Sequence, residues 1–351
     1  MNDRVPLGTA GVSVDDEARR RATGLVCIGF EGTALDARTA ELLRDGVAGV
    51  VLFARNFSDQ EQLATLCGDI LDAADRNVII AVDHEGGRVQ RFHGDGFTDL
   101  PTARSIGAMA AGGSGEAHEA ASSAATAAAT TAARELRAVG INLDFAPVLD
   151  VDSNAKNPVI GDRSFGSDPE LVATLGTVFT RGLQRNGVAA CGKHFPGHGD
   201  TNLDSHHDLP RITHDRARLD AVELAPFVAA IDSGIASIMT AHVVFETFDP
   251  EVPATLSETV IEGLLRDELG FEGVIISDDL DMKAITARYE VGDAAVRAIE
   301  AGCDLLLCCR DPAHRDRTIE ALTTAISEGR LSAERVDRSL ERIETLARTY
   351  S

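Results

Sequence analysis

Apolar runs of strand length recur along the chain, each followed by an interval long enough for a helix. They occupy residues 25–30, 49–53, 78–83, 187–191, 235–242, 273–278 and 303–308, and one more opens residues 141–150 before that stretch turns polar. The runs are continuous rather than alternating, which predicts strands covered on both faces, as in a parallel sheet. Helical patterns lie between and after them, over 35–44, 59–75, 116–139, 170–185, 216–231, 257–268, 292–300, 319–327 and 333–348. Pro226 is expected to kink the 216–231 helix or to split it. The Ala-rich 116–139 segment reads as a scaffold helix, because alanine favours the helix and its small side chain allows close packing. An open doubly wound sheet would need less apolar edge strands than these, and the chain has neither a dinucleotide glycine fingerprint nor a Walker sequence. The expected fold class is therefore α/β, a single closed (β/α)8 TIM barrel forming one domain over residues 1–351, with its chemistry at the C-terminal ends of the strands.

Composition narrows the function. The 351 residues carry a formal charge of −23, which argues against a nucleic-acid surface or a polybasic membrane patch. Hydrophobic residues at 44% against 25% charged indicate a folded globular chain, and no apolar stretch is long enough for a membrane span. The first residues form a short polar leader without a signal-peptide core, so a cytoplasmic location is expected. Cys27, Cys67, Cys191, Cys303, Cys308 and Cys309 lack paired metal spacing and sit mostly in apolar runs, which predicts reduced structural thiols.

The densest chemistry follows the 187–191 run. Lys193, His194, His198, Asp200, Asp204, His206, His207 and Asp208 crowd around Pro196, Gly197 and Gly199, a loop whose polar load points to a pocket where protons move. His194 and His198 would share a face only on a helix, which Pro196 and Gly197 disfavour, so no metal is expected. A Schiff-base role for Lys193 is the alternative reading for a barrel lysine. Three other strand exits are polar. Asp83 and Arg91 flank the Gly86-Gly87 turn, as ligand-facing groups or as a salt-bridged turn. Arg163, with Asp162 beside it to order it, offers a planar fork to sugar oxygens or a carboxylate, or closes a loop ion pair. Asp150 and Asp152 are expected to support that loop, with a metal role as the alternative. At 277–282, Asp278 ends an apolar run, and Asp279 and Asp281 are placed to cap the following turn.

Lys193-His194-Phe195-Pro196-Gly197-His198-Gly199-Asp200-Thr201, followed by Asp204-Ser205-His206 and Leu209-Pro210, resembles the signature of the bacterial NagZ-type β-N-acetylglucosaminidases of glycoside hydrolase family 3. The Asp83-His84-Glu85-Gly86-Gly87-Arg88-Val89-Gln90-Arg91, Gly161-to-Gly166 and Ser277-Asp278-Asp279-Leu280 motifs extend the likeness over most of the chain. His84 departs from it mildly, standing where the family often has Gln. The resemblance implies a retaining exo-hexosaminidase acting on N-acetylglucosaminyl muropeptides or related β-glycosides, with no cofactor and no obligate protein partner. It implies that Asp278 is the nucleophile, His206 the acid/base and Asp204 its orienting partner. Asp83, Arg91, Arg163, Lys193 and His194 become the sugar-binding set. Glu85, the one Glu near a strand exit, belongs to the Gly-Gly turn, and nothing in the sequence singles it out for the acid role. Another β-glycosidase, a glycoside phosphorylase or a silent sugar-binding barrel are the alternatives.

Overall fold

A computed structural model of the chain describes residues 14–94, 96–201 and 209–351. Eight parallel strands form a closed barrel: β1 (Val26–Ile28), β2 (Gly49–Leu52), β3 (Ile79–Val82), β4 (Leu143–Asp144), β5 (Ala189–Phe195), β6 (Ser237–Thr240), β7 (Val274–Asp279) and β8 (Leu305–Cys308). Neighbours in sequence are neighbours in the barrel, and β8 closes on β1 with Leu306 opposite Val26. Apart from Asp278 and Asp279 at the end of β7, every strand residue is buried. That is the packing expected of unbroken Val, Ile and Leu runs enclosed by helices.

All eight expected strands are present, most of them trimmed at the ends, and β4 shrinks to two residues before the polar loop. β5 departs the other way. The 187–191 run was expected to end before Lys193, but pairing continues to Phe195. Leu149 donates to the Lys193 carbonyl at 2.7 Å and Ala241 to the Phe195 carbonyl at 2.8 Å. Lys193 and His194 are therefore strand residues, not loop residues. Register shifts interrupt β5 between Gly192 and Phe195, and β7 between Ile276 and Asp279. Such irregularities re-aim side chains, and here they fall on the strands that carry Lys193, His194 and Asp278.

Helices follow the expected intervals, with caps that account for their starts. Asp59 accepts from the Gln62 amide ahead of Gln60–Ala74, and Ser114 from the Ala117 amide ahead of Gly115–Ala138. The Ala face of the latter, including Ala125, Ala129 and Ala132, is buried. The 216–231 helix is broken, as Pro226 suggested: a π-helical turn over Leu219–Glu223 precedes Ala225–Asp232, whose first turn holds the proline. Thr259–Glu268 is also π-helical. A further helix, Val14–Thr23, occupies part of what was read as a polar leader. It is anchored by Arg21, which donates to the Ala333 carbonyl at 2.9 Å. At the barrel's opposite end from the strand exits, buried Asp304 accepts from Arg266 at 2.5 Å, Ser339 at 2.7 Å and the Ile275 amide at 3.0 Å, tying β7 and β8 to the outer helices.

All six cysteines are buried and unpaired by disulfides. Burial raises the thiols of Cys27, Cys67, Cys191, Cys303, Cys308 and Cys309, so these groups behave as small hydrophobes. Among the described residues, no helix is long and apolar enough to cross a membrane.

Candidate active site

The strand exits surround a cavity of about 380 Å³, lined by Asp83, Arg91, Arg163, Lys193, His194 and Asp278 together with apolar side chains such as Phe53, Phe145 and Met239. Six of the eight expected site residues thus meet in one place. The other two, Asp204 and His206, lie outside the described residues.

The floor is a chain of ion pairs. Lys193 is almost fully buried, and its Nζ lies 2.7 Å from Asp83 Oδ1 and 2.6 Å from Glu85 Oε1. Asp83 Oδ2 accepts from Arg91 at 2.7 Å. Arg163 grips Glu85 with both prongs, Nε to Oε2 at 2.9 Å and Nη2 to Oε1 at 2.7 Å. Burial alone would raise both carboxyl groups, but the cations outweigh it. Lys193 and Arg91 hold Asp83 well below the usual carboxylate range, and Arg163 and Lys193 hold Glu85 at about 2. Burial likewise opposes the charge on Lys193, yet Asp83 and Glu85 raise its pKa overall. An ammonium held between two carboxylates has no free lone pair near neutral pH, which removes the Schiff-base reading.

Two expectations change here. Arg163 was expected to be ordered by Asp162, but Asp162 pairs with Arg88 at 2.7 Å and Arg163 pairs with Glu85. Glu85, which nothing in the sequence singled out, is the hub of the floor. The local reason is the hairpin His84–Gly86 with Val89–Gln90. Gly86 and Gly87 turn at φ of +96° and +56°, and a Cβ on either would lie within 2.5 Å of the Pro101 carbonyl or the Thr102 side chain. This turn folds Glu85 under the pocket. His84 does point away from it: the ring is buried against Phe92 and Phe97, and burial lowers its pKa to about 3.

Asp150 supports the second half of the site: it was expected to brace the Arg163 loop, but its carboxylate holds His194 and His198, and its backbone carbonyl accepts from Ser164 of that loop. Its carboxylate accepts from His194 Nδ1 at 2.7 Å, the His194 amide at 3.1 Å and the His198 amide at 2.7 Å. A tight turn with Gly197 donating to the His194 carbonyl at 2.8 Å then brings the two imidazoles to 5.8 Å, centroid to centroid. The two histidines therefore do come together without a helix, contrary to the spacing argument. His198 Nδ1 lies 2.9 Å from the Thr201 hydroxyl, and burial lowers its pKa to about 4. Among the described residues, no group of three or more His, Cys, Asp or Glu side chains is placed to hold a metal ion.

On the far wall, the Asp279 amide donates to Asp278 Oδ1 at 2.8 Å. Asp279 caps the turn through the Asp281 amide, as expected, and burial raises its own pKa to about 7. Asp281 reaches beyond that turn, accepting from the Arg310 and Asp311 amides after β8. Asp200 pairs with His214, joining the segments on either side of the 202–208 stretch.

Carboxylates, cations and imidazoles thus converge on one cavity at the strand exits of a closed (β/α)8 barrel, the place where enzymes of the barrel class carry their chemistry. The comparisons define it further. The family model of the glycosyl hydrolase family 3 N-terminal domain matches residues 20–346. A β-hexosaminidase of Bordetella avium is 41% identical over 301 residues, covering 86% of this chain and 84% of that protein. Among solved structures, a family 3 β-N-acetylglucosaminidase from Paenibacillus superposes with a TM-score of 0.90 at 44% identity, covering 95% of this chain and 62% of that one. NagZ from Neisseria gonorrhoeae superposes with a TM-score of 0.78 at 36% identity, covering 92% and 98%. The chain belongs to glycosyl hydrolase family 3, and within it to the NagZ-like β-N-acetylhexosaminidases.

Proposed function

We propose that this chain is a retaining exo-β-N-acetylglucosaminidase. It removes terminal β-linked N-acetylglucosamine from cell-wall muropeptide fragments in the cytoplasm, without a cofactor. The observation that carries the reading is the ion-paired floor of Lys193, Asp83, Glu85, Arg163 and Arg91 beside Asp278 in one cavity. Similarity to β-N-acetylglucosaminidases supports the choice of sugar. In the first step Asp278 attacks the anomeric carbon while His206, oriented by Asp204, gives its proton to the departing oxygen; the glycosidic bond breaks and a covalent glycosyl-enzyme forms. Water then attacks the same carbon, His206 takes its proton, and the β-sugar leaves with Asp278 free again. Asp83, Arg91, Arg163, Lys193 and His194 hold the sugar hydroxyls.

A product-resolved assay on a muropeptide disaccharide tests the reading. N-acetylglucosamine released first as the β-anomer is the expected product. Preference for the matched glucoside would point to another β-glycosidase, and a sugar 1-phosphate formed with phosphate would make the chain a phosphorylase. His206→Ala should slow a substrate with a poor alkoxide leaving group by about 10²-fold or more, and an activated aryl glycoside far less. Equal losses on both, with glycosylation rate-limiting, remove His206 from the acid role. Arg163→Lys should lower kcat/KM on the order of 10²-fold in a folded protein, because a point charge cannot make both bonds to Glu85. Unchanged kcat/KM takes Arg163 out of the binding set.

A further inference from the structure

Beneath the floor, at the end of β4, Asp144 is closed off from solvent and has no part in the steps above. Its Oδ1 accepts the backbone N–H of His84 at 2.9 Å. Its Oδ2 is buried without a hydrogen-bond partner among the described residues. His84 stands between Asp83 and Glu85, the two carboxylates that hold Lys193. The charged and titratable groups that face Asp144 are Asp83 and Glu85 after β3, and Lys193 and Cys191 on β5; the buried His84 ring is held neutral. The nearby cations are engaged elsewhere: Lys193 and Arg163 on Glu85, Lys193 and Arg91 on Asp83. An ionised Asp144 would therefore carry an anionic oxygen with no donor, out of reach of water. Burial outweighs both the His84 amide and the pull of Lys193, and pushes this carboxyl up to about 8.

We propose that Asp144 is a positioning residue that works in its neutral form, fixing the 83–85 segment through the His84 amide while leaving Lys193 to Asp83 and Glu85. When it loses its proton it becomes a third carboxylate competing for Lys193, and the grip of the floor on the sugar loosens. The activity readout of this inference rests on the proposed function; its stability readout rests on the fold alone.

Asp144→Asn separates the two, because the amide oxygen still accepts from His84 but the group cannot ionise. The sign follows from linkage. Unfolded, Asp144 ionises above the ordinary 3.8, whereas folded it keeps its proton to about 8. Between those values folding must take up a proton, so wild-type stability falls as pH rises and the Asn variant escapes the loss. The Tm of Asp144→Asn minus that of wild type should grow steadily across this window. A constant or closing difference overturns the proposal. With an activated aryl N-acetylglucosaminide, which needs little acid help, wild-type kcat/KM should fall about 10-fold from about pH 7 to about pH 9 as the neutral form is lost. The Asn variant should match wild type near neutrality and stay level. Superimposable pH profiles, or an Asn variant crippled at every pH, also overturn it. If neither protein turns over any β-N-acetylglucosaminide, the proposed function fails, and the melting comparison alone decides the protonation state of Asp144.

Discussion

Asp278→Ala is expected to lower turnover by on the order of 10⁴-fold or more, on poor and activated N-acetylglucosaminides alike. Loss on both distinguishes a nucleophile from an acid, since an activated leaving group replaces the acid but nothing replaces the attacking oxygen. The position of Asp278 supports this role. It lies on β7 at the register shift against β8, lines the cavity, and accepts the Asp279 amide at 2.8 Å, which fixes the direction of one carboxylate oxygen. Its neighbour Asp279 also lines the cavity, but its carboxylate is drawn into the turn by the Asp281 and Cys309 amides at 3.1 and 3.2 Å, which supports Asp278 as the proposed nucleophile. A 2-fluoro sugar that forms the adduct quickly and loses it slowly should label Asp278, as peptide mapping would reveal. Azide added to the Ala variant should restore turnover and give the α-glycosyl azide, since one displacement in place of two inverts the carbon. A label on another residue, with Asp278 unmodified, would overturn the assignment, and so would an Ala variant of near wild-type rate.

The barrel was legible because a strand covered on both faces leaves a local mark, an unbroken apolar run of the kind at 49–53 or 303–308. The helix Val14–Thr23 left no such mark: its sequence is mostly Asp, Glu, Arg and Ala, with a mean hydropathy too low to predict burial. The polar residues of β5 misled for the opposite reason. Lys193 and His194 interrupt an apolar run and read as loop, yet each is paid for by a partner distant in sequence, Asp83 for one and Asp150 for the other. Motif similarity picked out Asp83, Arg91, Arg163, Lys193, His194 and Asp278, and the structure brings them to one cavity. It could not say that Glu85 lies between Lys193 and Arg163, a contact spanning 78 positions to the arginine. The one local hint was the Gly86-Gly87 pair, which only a sharply turned backbone requires. Asp144 was hidden similarly: nothing in the 141–150 stretch set it apart, and the amide it accepts from lies 60 positions away.

Lys193→Met should destabilise the protein by about 3–5 kcal/mol near neutral pH as well as suppress turnover, because it removes the shared partner of two buried carboxylates. Asp83 would retain Arg91 and Glu85 would retain Arg163, but the positive charge between the two acids would be gone. The pH dependence identifies the cause. In the wild type, Glu85 is depressed from 4.5 to about 2 and Asp83 lies below its ordinary range as well. A depressed carboxyl contributes stability that is present above its unfolded pKa and lost as pH falls through its folded pKa. Without Lys193 both depressions shrink, so the variant has less of this contribution to lose on acidification. The gap in unfolding free energy between wild type and Lys193→Met should thus be widest near neutrality and narrow as pH falls from 4.5 towards about 2. Urea titrations across that range measure it. Adding Glu85→Gln to Lys193→Met should recover part of the neutral-pH loss, since it removes the repulsion between Glu85 and Asp83 that Lys193 had offset, while keeping the side-chain volume and an amide oxygen that accepts from Arg163. A gap that does not change with pH, together with no recovery in the double variant, would mean that Lys193 stabilises the floor by packing its stem, and the ion-paired floor would cease to explain how the site is held.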